Sequence, residues 1–155
     1  MEDFRVPKRR VEIETLSVDG VSRKIGVYLS EYSAIHSGSE RVSDLLNEVA
    51  EFFPAIDGQT GQTIFLTRSG LISATVASVE ELDASERDVP LTEQRVEVTL
   101  TNGTTFQGTM AYLRHPERSR VIDVLNEPSR FFSVRVGDRT TLINKRHVVV
   151  AGFVA

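Results

Sequence analysis

The sequence predicts a mainly β protein that consists of two tandem five-stranded barrels, each with a short inserted helix. Three observations lead to this prediction. One stretch recurs in the second half of the chain, several short stretches alternate apolar and polar residues, and turn signals that contain glycine separate these stretches. The ten glycines, the frequent Val, Thr and Ile residues and the absence of Trp favour β structure.

The recurring stretch divides the chain into units. Residues 41–48 match residues 120–127 at an offset of 79 residues, and eight of the thirteen positions from 41 to 53 are identical in the two copies. An internal repeat of this length is typical of a chain built from two similar structural units. It predicts a first unit at 8–77, an acidic connector at 78–93 and a second unit at 94–155.

The second unit begins with a hairpin pattern. Residues 96–100 alternate apolar and polar side chains, as a half-buried strand does. Asn102 and Gly103 then predict a type I′ turn, in which both central residues have positive φ. The return strand is predicted at 106–113, and Pro116 ends it.

A short helix and three further strands follow. Apolar residues within 118–127 predict the helix, which Pro128 stops. The remaining strands are predicted at 131–136, 140–143 and 148–153. Five strands are too few for an open sheet to bury both faces, so we expect each unit to close into a strongly bent barrel without exposed edges.

Charge is distributed unevenly along the chain. Residues 1–77 carry a net charge of −3, residues 78–94 carry −5 and residues 95–155 carry +4, within an overall charge of −4. An acidic connector therefore precedes a basic second unit. Two conformations of the connector stay open, namely a turn or two of helix ahead of Pro90 or an extended, solvated linker.

Composition excludes several classes of protein. With 155 residues, of which 40% are hydrophobic and 26% charged, the chain has a globular and not a disordered composition. No apolar run approaches the roughly 20 residues of a membrane span, and the first residues lack the apolar stretch of a signal peptide. The absence of cysteine excludes disulfides and cysteine-based zinc sites. We expect a cytoplasmic protein without membrane association.

A motif in the second unit resembles the Sm-like fold and, within it, the bacterial Sm-like RNA chaperone (host factor) family. At 98–108 a strand is followed by Asn-Gly, two variable residues, an apolar residue and Gln-Gly, at the spacing of that family. Arg146 and His147 stand where the family has Lys-His before its last strand. The resemblance implies Sm-like barrels that associate through strand edges into rings.

The sequence also departs from the family pattern. Residues 114–130 interrupt a place where the family passes directly between strands. Lys145 stands where the family has an aromatic residue, and Ser69 and Gly70 occupy the Lys-His positions of the first unit. The first unit therefore keeps the signals of the scaffold without the polar pair.

The first candidate site is the cationic turn before the last strand. In the resembling family this turn contacts RNA, and the positive donors of Lys145, Arg146 and His147 suit a phosphate or a base edge. Asn102 and Gln107, the polar residues of the matching motif, complete the nucleic-acid-binding candidates. The alternative interpretation is a solvated turn with cationic side chains.

Arginine supplies most of the remaining positive charge of the second unit, which suits phosphate recognition. These residues are Arg95, Arg114, Arg118, Arg120, Arg130, Arg135 and Arg139. The alternative is structural pairing with carboxylates. Arg41 and Asp44 in the first unit, like Arg120 and Asp123 in the second, are three residues apart on one side of a predicted helical turn. We favour structural ion pairs for these four residues.

Enzymatic chemistry has little support in the sequence. His36, His115 and His147 show no metal-ligand spacing, and neither a nucleophile elbow nor a phosphate-binding glycine motif is present. We expect no catalytic residues, no cofactor and no bound metal. The favoured function is a non-enzymatic interaction or assembly module that forms homo-oligomers and binds a protein partner that the sequence does not name. The alternative is RNA binding through the basic surface of the second unit.

Overall fold

The computed structural model describes residues 8–31, 38–81, 91–113 and 120–154. The first half of the chain contains five strands and one short helix: β1 (Lys8–Ser17), β2 (Ser22–Ser30), α1 (Val42–Leu46), β3 (Phe52–Asp57), β4 (Thr63–Thr67) and β5 (Leu71–Ala77). The second half contains the same order of elements: β6 (Leu91–Leu100), β7 (Thr105–Leu113), α2 (Val121–Leu125), β8 (Phe131–Val136), β9 (Arg139–Asn144) and β10 (Val148–Phe153). The prediction of a mainly β chain is confirmed.

All ten strands form one antiparallel open sheet in the order β10-β6-β7-β8-β9-β5-β1-β2-β3-β4. Within each half the last strand lies beside the first, and the second, third and fourth strands follow in turn. The two halves meet where β5 pairs with β9. Among the described strands no ladder joins the two outer strands of either half, so closure into two separate barrels stays a prediction.

The turn at Asn102 and Gly103 differs from the predicted type I′ geometry. Among the described residues only glycines have positive φ, so the expectation for Asn102 is wrong, whereas Gly103 has φ of 86°. The Asn102 side-chain oxygen instead accepts a hydrogen bond from the Thr104 N–H at 3.0 Å, while the Gly103 N–H donates to Leu100. This local bond holds the turn with one left-handed residue and not two. Gly20, with φ of 82°, plays the same part in the first hairpin.

Both helices have five residues and begin in the same way. The backbone N–H of Arg41 donates to the Asp44 carboxylate at 2.8 Å, and that of Arg120 donates to Asp123 at 3.3 Å. An acceptor at this position satisfies a donor that the first turn leaves without an intrahelical partner. The second helix is shorter than the predicted range, which begins outside the described residues.

The halves have two hydrophobic cores that extend into each other. The first core consists mainly of residues from β1 to β5, but it also contains Phe131 and Leu142 from the second half. The second core is built mainly on β6 to β10 and contains Ile72 from the first half. Burial of apolar surface therefore stabilises the junction as well as each half.

A close approach of two strands requires glycine at position 108. A Cβ atom there would lie 2.8 Å from the backbone oxygen of Arg135 and 2.5 Å from a methyl carbon of Val134. At Gly26, the position that sequence comparison pairs with it, the atoms nearest to an added Cβ belong to the movable guanidinium of Arg10. Of these two corresponding positions, only Gly108 therefore has a strict requirement for glycine.

The acidic connector is shorter than predicted. Its first residues form a 3₁₀ turn, Ser78–Glu81, and its predicted last three residues belong to β6, which begins at Leu91. Pairing with β7 recruits them, since Leu91 lies opposite Leu113. Residues 82–90 lie outside the described ranges, so the two conformations predicted for the connector apply to residues that are not described.

The 3₁₀ turn places Glu81 against the start of α1. A Glu81 carboxylate oxygen accepts a hydrogen bond from the Ser43 N–H at 3.1 Å. Burial raises the pKa of Glu81 above its usual value, although hydrogen bonds from Ser43 and the charge of Arg41 oppose this shift. The folded environment therefore stabilises the ionised carboxylate less than water does.

The raised pKa of Glu81 predicts that the stability of the folded protein depends on pH. The folded state holds the Glu81 proton more tightly than the unfolded state does, so stability is lost as pH rises through the usual carboxyl range to the raised pKa. Glu81→Gln keeps an acceptor for Ser43 and cannot ionise. We expect its free energy of unfolding to exceed that of the wild type at neutral pH, with the difference vanishing in acid. Urea titrations over a pH series measure this.

Glu80→Gln is the matched control for that series. Glu80 forms an ion pair with Arg9, so its neutralisation removes an attraction and is expected not to stabilise the fold. An unchanged pH profile in Glu81→Gln would contradict the role assigned to Glu81.

Candidate functional site

The predicted cationic turn forms a 3₁₀ turn, Lys145–His147, between β9 and β10. The Asn144 side-chain oxygen accepts a hydrogen bond from the Arg146 N–H at 3.0 Å and holds the start of this turn. The Thr101 N–H donates to the His147 carbonyl at 2.8 Å, which brings the first turn of the second half alongside. Because the cationic turn directly follows β9, which pairs with β5, it lies beside the junction between the halves.

Lys145 is fully engaged within the chain. Its ammonium donates to the carbonyls of Val124 at 3.1 Å and Glu127 at 2.8 Å, and to the Ser129 hydroxyl at 3.1 Å. Burial lowers the pKa of the Lys145 ammonium, and the charge of Glu127 opposes this shift. Because the first two acceptors lie at the end of α2, Lys145 closes that helix and has no donor left for a ligand.

Arg68 is a structural residue that the sequence analysis missed. It occupies the same place after β4 as Lys145 does after β9, and its side chain is 1% exposed. Its guanidinium donates to the carbonyls of Leu45, at 2.9 and 3.1 Å, of Phe52, at 3.2 Å, and of Ala50. The sequence signal that could have identified Arg68 is the cationic residue that follows the fourth strand in each unit.

The surroundings of Arg68 include one carboxylate and one aromatic ring. Glu48 lies 3.3 Å from the guanidinium, and the ring centroid of Phe53 lies 5.1 Å from its central carbon. Burial lowers the pKa of Arg68, while the charge of Glu48 opposes this shift. Arginine keeps its proton in proteins, so a buried cation holds the end of α1.

His147 bridges the two halves. Its Nε2 lies 2.9 Å from the carbonyl oxygen of Ser69, and its Nδ1 lies 3.3 Å from the hydroxyl of Thr101. A carbonyl oxygen only accepts, so Nε2 carries the proton of this hydrogen bond. In the neutral ring Nδ1 then accepts from Thr101, and both nitrogens are used inside the chain.

Arg146 is the exposed member of the cationic turn. Within the described part of the chain its guanidinium forms neither a hydrogen bond nor an ion pair. The structure therefore reduces the three predicted cationic contacts to one available side chain.

The other two candidates do not join Arg146 in a pocket. The side-chain oxygen of Asn102 accepts a hydrogen bond from the Thr104 hydroxyl at 2.6 Å. Its turn lies next to His147, because the hydroxyl of Thr101 lies 3.3 Å from the His147 ring nitrogen Nδ1. Gln107 donates to Glu97 on the neighbouring strand β6 at 2.6 Å. The structure thus brings Asn102 near the cationic turn and engages Gln107 elsewhere.

Carboxylates face most of the described arginines. Both favoured helical ion pairs are present, with nitrogen–oxygen distances of 3.5 Å for Arg41–Asp44 and 3.2 Å for Arg120–Asp123. The further pairs are Arg130–Glu51 at 3.5 Å, Arg135–Glu93 at 3.0 Å and Arg139–Glu14 at 3.7 Å. Arg114 and Arg118 lie outside the described residues. The basic surface is therefore largely neutralised by its own chain.

Two of these ion pairs cross the junction between the halves. Arg130 also donates to the carbonyl of Val49 at 3.0 Å, and its partner Glu51 accepts from the hydroxyl and N–H of Ser69. The Ser69 hydrogen bonds hold the pKa of Glu51 below its usual value, and Arg130 acts in the same direction. The polar groups near the cationic turn thus connect the halves.

The β5·β9 ladder forms the centre of the junction. It pairs Ser73 with Ile143, Ala74 with Leu142 and Thr75 with Thr141. Hydroxyl groups add side-chain bonds of 2.9 Å between Thr75 and Thr141 and between Ser78 and Thr140.

Asn144 and Asn47 tie further backbone groups across this junction. The buried Asn144 amide donates to the carbonyls of Leu71 at 2.9 Å and Arg68 at 3.3 Å. The Asn47 side-chain oxygen accepts from the Phe131 N–H at 2.8 Å. The halves are therefore joined by one strand ladder and a surrounding set of specific polar bonds.

The two outer strands of the sheet carry exposed apolar side chains. Phe65 on β4 is 69% exposed and Phe153 on β10 is 70% exposed. Val149 and Val150 on β10 are also exposed. An unpaired edge with large apolar residues is a surface that can pair with another chain.

Within the described ranges no group of three or more histidine and carboxylate side chains is placed to hold a metal ion. The helices found there are also too short to cross a membrane.

Comparison with protein-family models, curated proteins and solved structures gave no match to this chain.

Proposed function

We propose that this chain is a non-enzymatic, Sm-like interaction and assembly module with two tandem five-stranded barrels and partners that are proteins. The equal order of strands in the two halves and the presence of one core per half support tandem barrels. The recurring stretch at 41–53 and 120–132 supports duplication as their origin.

The junction between the halves carries this proposal. The two halves meet there through a ladder of five residue pairs, and the outer strands β10 and β4 each leave one backbone edge unpaired at the ends of the sheet. An unpaired strand recognises another strand through its backbone, so a partner protein needs no catalytic or charged pocket. Lys145 and His147 form hydrogen bonds to backbone carbonyls of the same chain, which agrees with this interpretation.

RNA binding through the second unit is the alternative function. It is favoured by Arg146, which is exposed at the end of the cationic turn and forms no ion pair among the described residues. Because Lys145 and His147 are engaged inside the chain, Arg146 alone predicts few phosphate contacts. For single strands each such contact adds about 0.7 to the slope of log affinity against log salt concentration.

A titration with labelled oligo-U RNA separates the two functions. We expect no binding by the wild-type chain at low salt, because most of its described arginines are paired internally and Lys145 is engaged at the end of α2. Binding that weakens steeply with salt, and that Arg146→Ala reduces several-fold, would overturn the assembly proposal in favour of RNA binding. Arg10→Ala, which alters an exposed arginine of the first half, is the matched control.

A further inference from the structure

One turn of the second half contains an asparagine whose following residue cannot shield it. The chain has four asparagines, of which only Asn102 precedes a glycine. An asparagine side chain loses its amide when the backbone nitrogen of the next residue attacks the side-chain carbonyl carbon. A side chain on that next residue obstructs the attack, and glycine has no Cβ to do so. Asn102 is therefore the asparagine of this chain with the least hindered neighbour.

The turn around Asn102 is also open to solvent. Asn102, Gly103 and Thr104 are all exposed. Among the described residues, apart from the chain neighbours of Gly103, no heavy atom lies within 4 Å of the place that a Cβ of Gly103 would take. The Gly103 N–H donates to the Leu100 carbonyl at 2.9 Å, and this bond has to open before the nitrogen attacks. The free space and the wide φ range of glycine permit this local movement.

Thr104 polarises the amide carbonyl of Asn102. The Asn102 oxygen Oδ1 accepts hydrogen bonds from the Thr104 N–H at 3.0 Å and from the Thr104 hydroxyl at 2.6 Å. Attack on the carbonyl carbon places negative charge on this oxygen. Two donors that already point at the oxygen stabilise the charge as it develops. The contacts of Thr104 therefore favour the reaction at Asn102.

We propose that Asn102 is a deamidation site, at which Gly103 supplies the attacking nitrogen and Thr104 stabilises the oxyanion. The Gly103 nitrogen gives up its proton and bonds to Cγ of Asn102, while the side-chain nitrogen takes up a proton and leaves as ammonia. Water then opens the resulting five-membered imide. Opening at Cγ gives aspartate, and opening at the backbone carbonyl gives isoaspartate. Overall one water is consumed and one ammonia is released, and no group is oxidised or reduced.

The first half already contains the aspartate form of this turn. Asp19 lies between β1 and β2 as Asn102 lies between β6 and β7. The glycine after Asp19 has φ of 82°, and Gly103 has φ of 86°. The Val21 N–H donates to the Asp19 carboxylate at 3.0 Å, in the same way as the N–H two residues after Asn102. An aspartate at position 102 is therefore compatible with the backbone of the turn.

Asp19 itself is protected from the corresponding attack. The Val21 N–H and the Arg23 guanidinium, which lies 3.1 Å from the second carboxylate oxygen, hold the pKa of Asp19 below its usual value. An ionised carboxylate resists a nucleophile, because its carbon is a weak electrophile and carries no good leaving group. Of these two corresponding turns, only the one at Asn102 has the reactive form.

Deamidation changes the charge beside the cationic turn. Each conversion adds one negative charge to a chain with a net charge of −4. The Thr101 N–H donates to the His147 carbonyl at 2.8 Å, so the new carboxylate belongs to a turn attached to the segment of Arg146. A modification of this kind acts through local electrostatics and lowers the positive potential near Arg146. The reaction needs no partner and does not depend on the proposed assembly function.

Peptide mapping of the full-length folded chain tests the site. The protein is incubated at mildly alkaline pH and then digested with trypsin, which releases Asn102 within residues 96–114 and Asn126 within residues 121–130. Mass spectrometry is expected to show aspartate and isoaspartate accumulating at Asn102, while Asn126 stays intact. Asn126 is the internal control, since it is also exposed but precedes Glu127. No conversion at Asn102, or equal conversion at both positions, would overturn the proposal.

Two threonine variants test the role of Thr104. Thr104→Val removes the hydroxyl donor to Asn102 and is expected to slow deamidation several-fold. Thr105→Val is the matched control and should react at the wild-type rate, because Thr105 is equally exposed and pairs with Thr99 on β6. A Thr104→Val chain that reacts as fast as the wild type would show that the hydroxyl has no stabilising role. Circular dichroism checks that both variants are folded.

Two further variants test the nucleophile and the product. Gly103→Ala is expected to suppress deamidation, because a Cβ hinders the attack and alanine disfavours the positive φ that precedes it. Asn102→Asp is expected to keep the circular dichroism spectrum and the urea midpoint of the wild type, as the turn at Asp19 indicates. Wild-type reactivity of Gly103→Ala would overturn the role of Gly103, and a strongly destabilised Asn102→Asp would overturn the compatibility of the product with the fold.

Discussion

Arg68→Met is expected to destabilise the protein by about 3–5 kcal/mol, because several buried backbone carbonyls lose a charged donor and each such loss costs roughly 1–3 kcal/mol. The side chain is 1% exposed and donates to three backbone carbonyls that follow or end α1, those of Leu45, Ala50 and Phe52. Methionine fills the space but donates nothing, so these oxygens lose their donor in a site that excludes water. Urea unfolding monitored by circular dichroism measures the loss.

Two variants show which property of Arg68 matters. Arg68→Lys is expected to recover a large part of the stability, since Lys145 holds the end of α2 with a single ammonium. Glu48→Gln is expected to cost less than about 1 kcal/mol, because Glu48 is 50% exposed and a solvated ion pair contributes little. A small effect of Arg68→Met together with a large effect of Glu48→Gln would mean that the ion pair, and not the carbonyl contacts, stabilises the site.

Asn144→Leu is expected to cost about 2–3 kcal/mol, because each polar group left buried without its partner is penalised. Leucine has a similar volume, so lost packing contributes little. The change removes the donor for the carbonyls of Arg68 and Leu71 in the first half and the acceptor for the Arg146 N–H. We also expect faster amide hydrogen exchange along the β5·β9 ladder, which reports opening of the junction.

Threonine provides the matched comparison at this position. Thr67, the residue that corresponds to Asn144 in the first half, accepts from the Gly70 N–H at 3.2 Å and so performs only the local part of the task. Asn144→Thr is therefore expected to keep the cationic turn ordered and to lose the bonds across the junction. If Asn144→Thr and the wild type show equal exchange along β5, the bonds from Asn144 do not stabilise the junction.

The elements that depend on neighbouring residues could be predicted from the sequence. Alternation of apolar and polar residues located the strands, and the apolar residues within 118–127 together with Pro128 marked the short helix of the second half. The φ angle at Asn102 was predicted wrongly because its side chain offers the turn a local hydrogen bond that a pattern of dipeptides does not include. Local signals thus gave the type of each element more reliably than its detailed geometry.

The candidate site could be predicted only in part. The position of Lys145, Arg146 and His147 at a turn followed from the sequence, but their availability did not. Lys145 meets the end of a helix about 20 residues away along the chain, and His147 meets Ser69 from the other half. Neither contact has a signal in the residues around it. The similar task of Arg68 was missed for the same reason, since an arginine beside a strand resembles any surface cation.

The choice of short segments that become strands, turns and helices followed from the sequence, because it depends on side-chain periodicity and on bonds between residues close along the chain. The pairing of β5 with β9 and the position of β4 and β10 at the ends of the sheet are evident only in the tertiary structure. The same is true of the hydrogen bonds and ion pairs that engage most of the described cations with carbonyls and carboxylates of the same chain. These outcomes depend on which backbone edges and buried polar groups meet across long separations. Packing brings such groups together, and no pattern of neighbouring residues predicts these contacts.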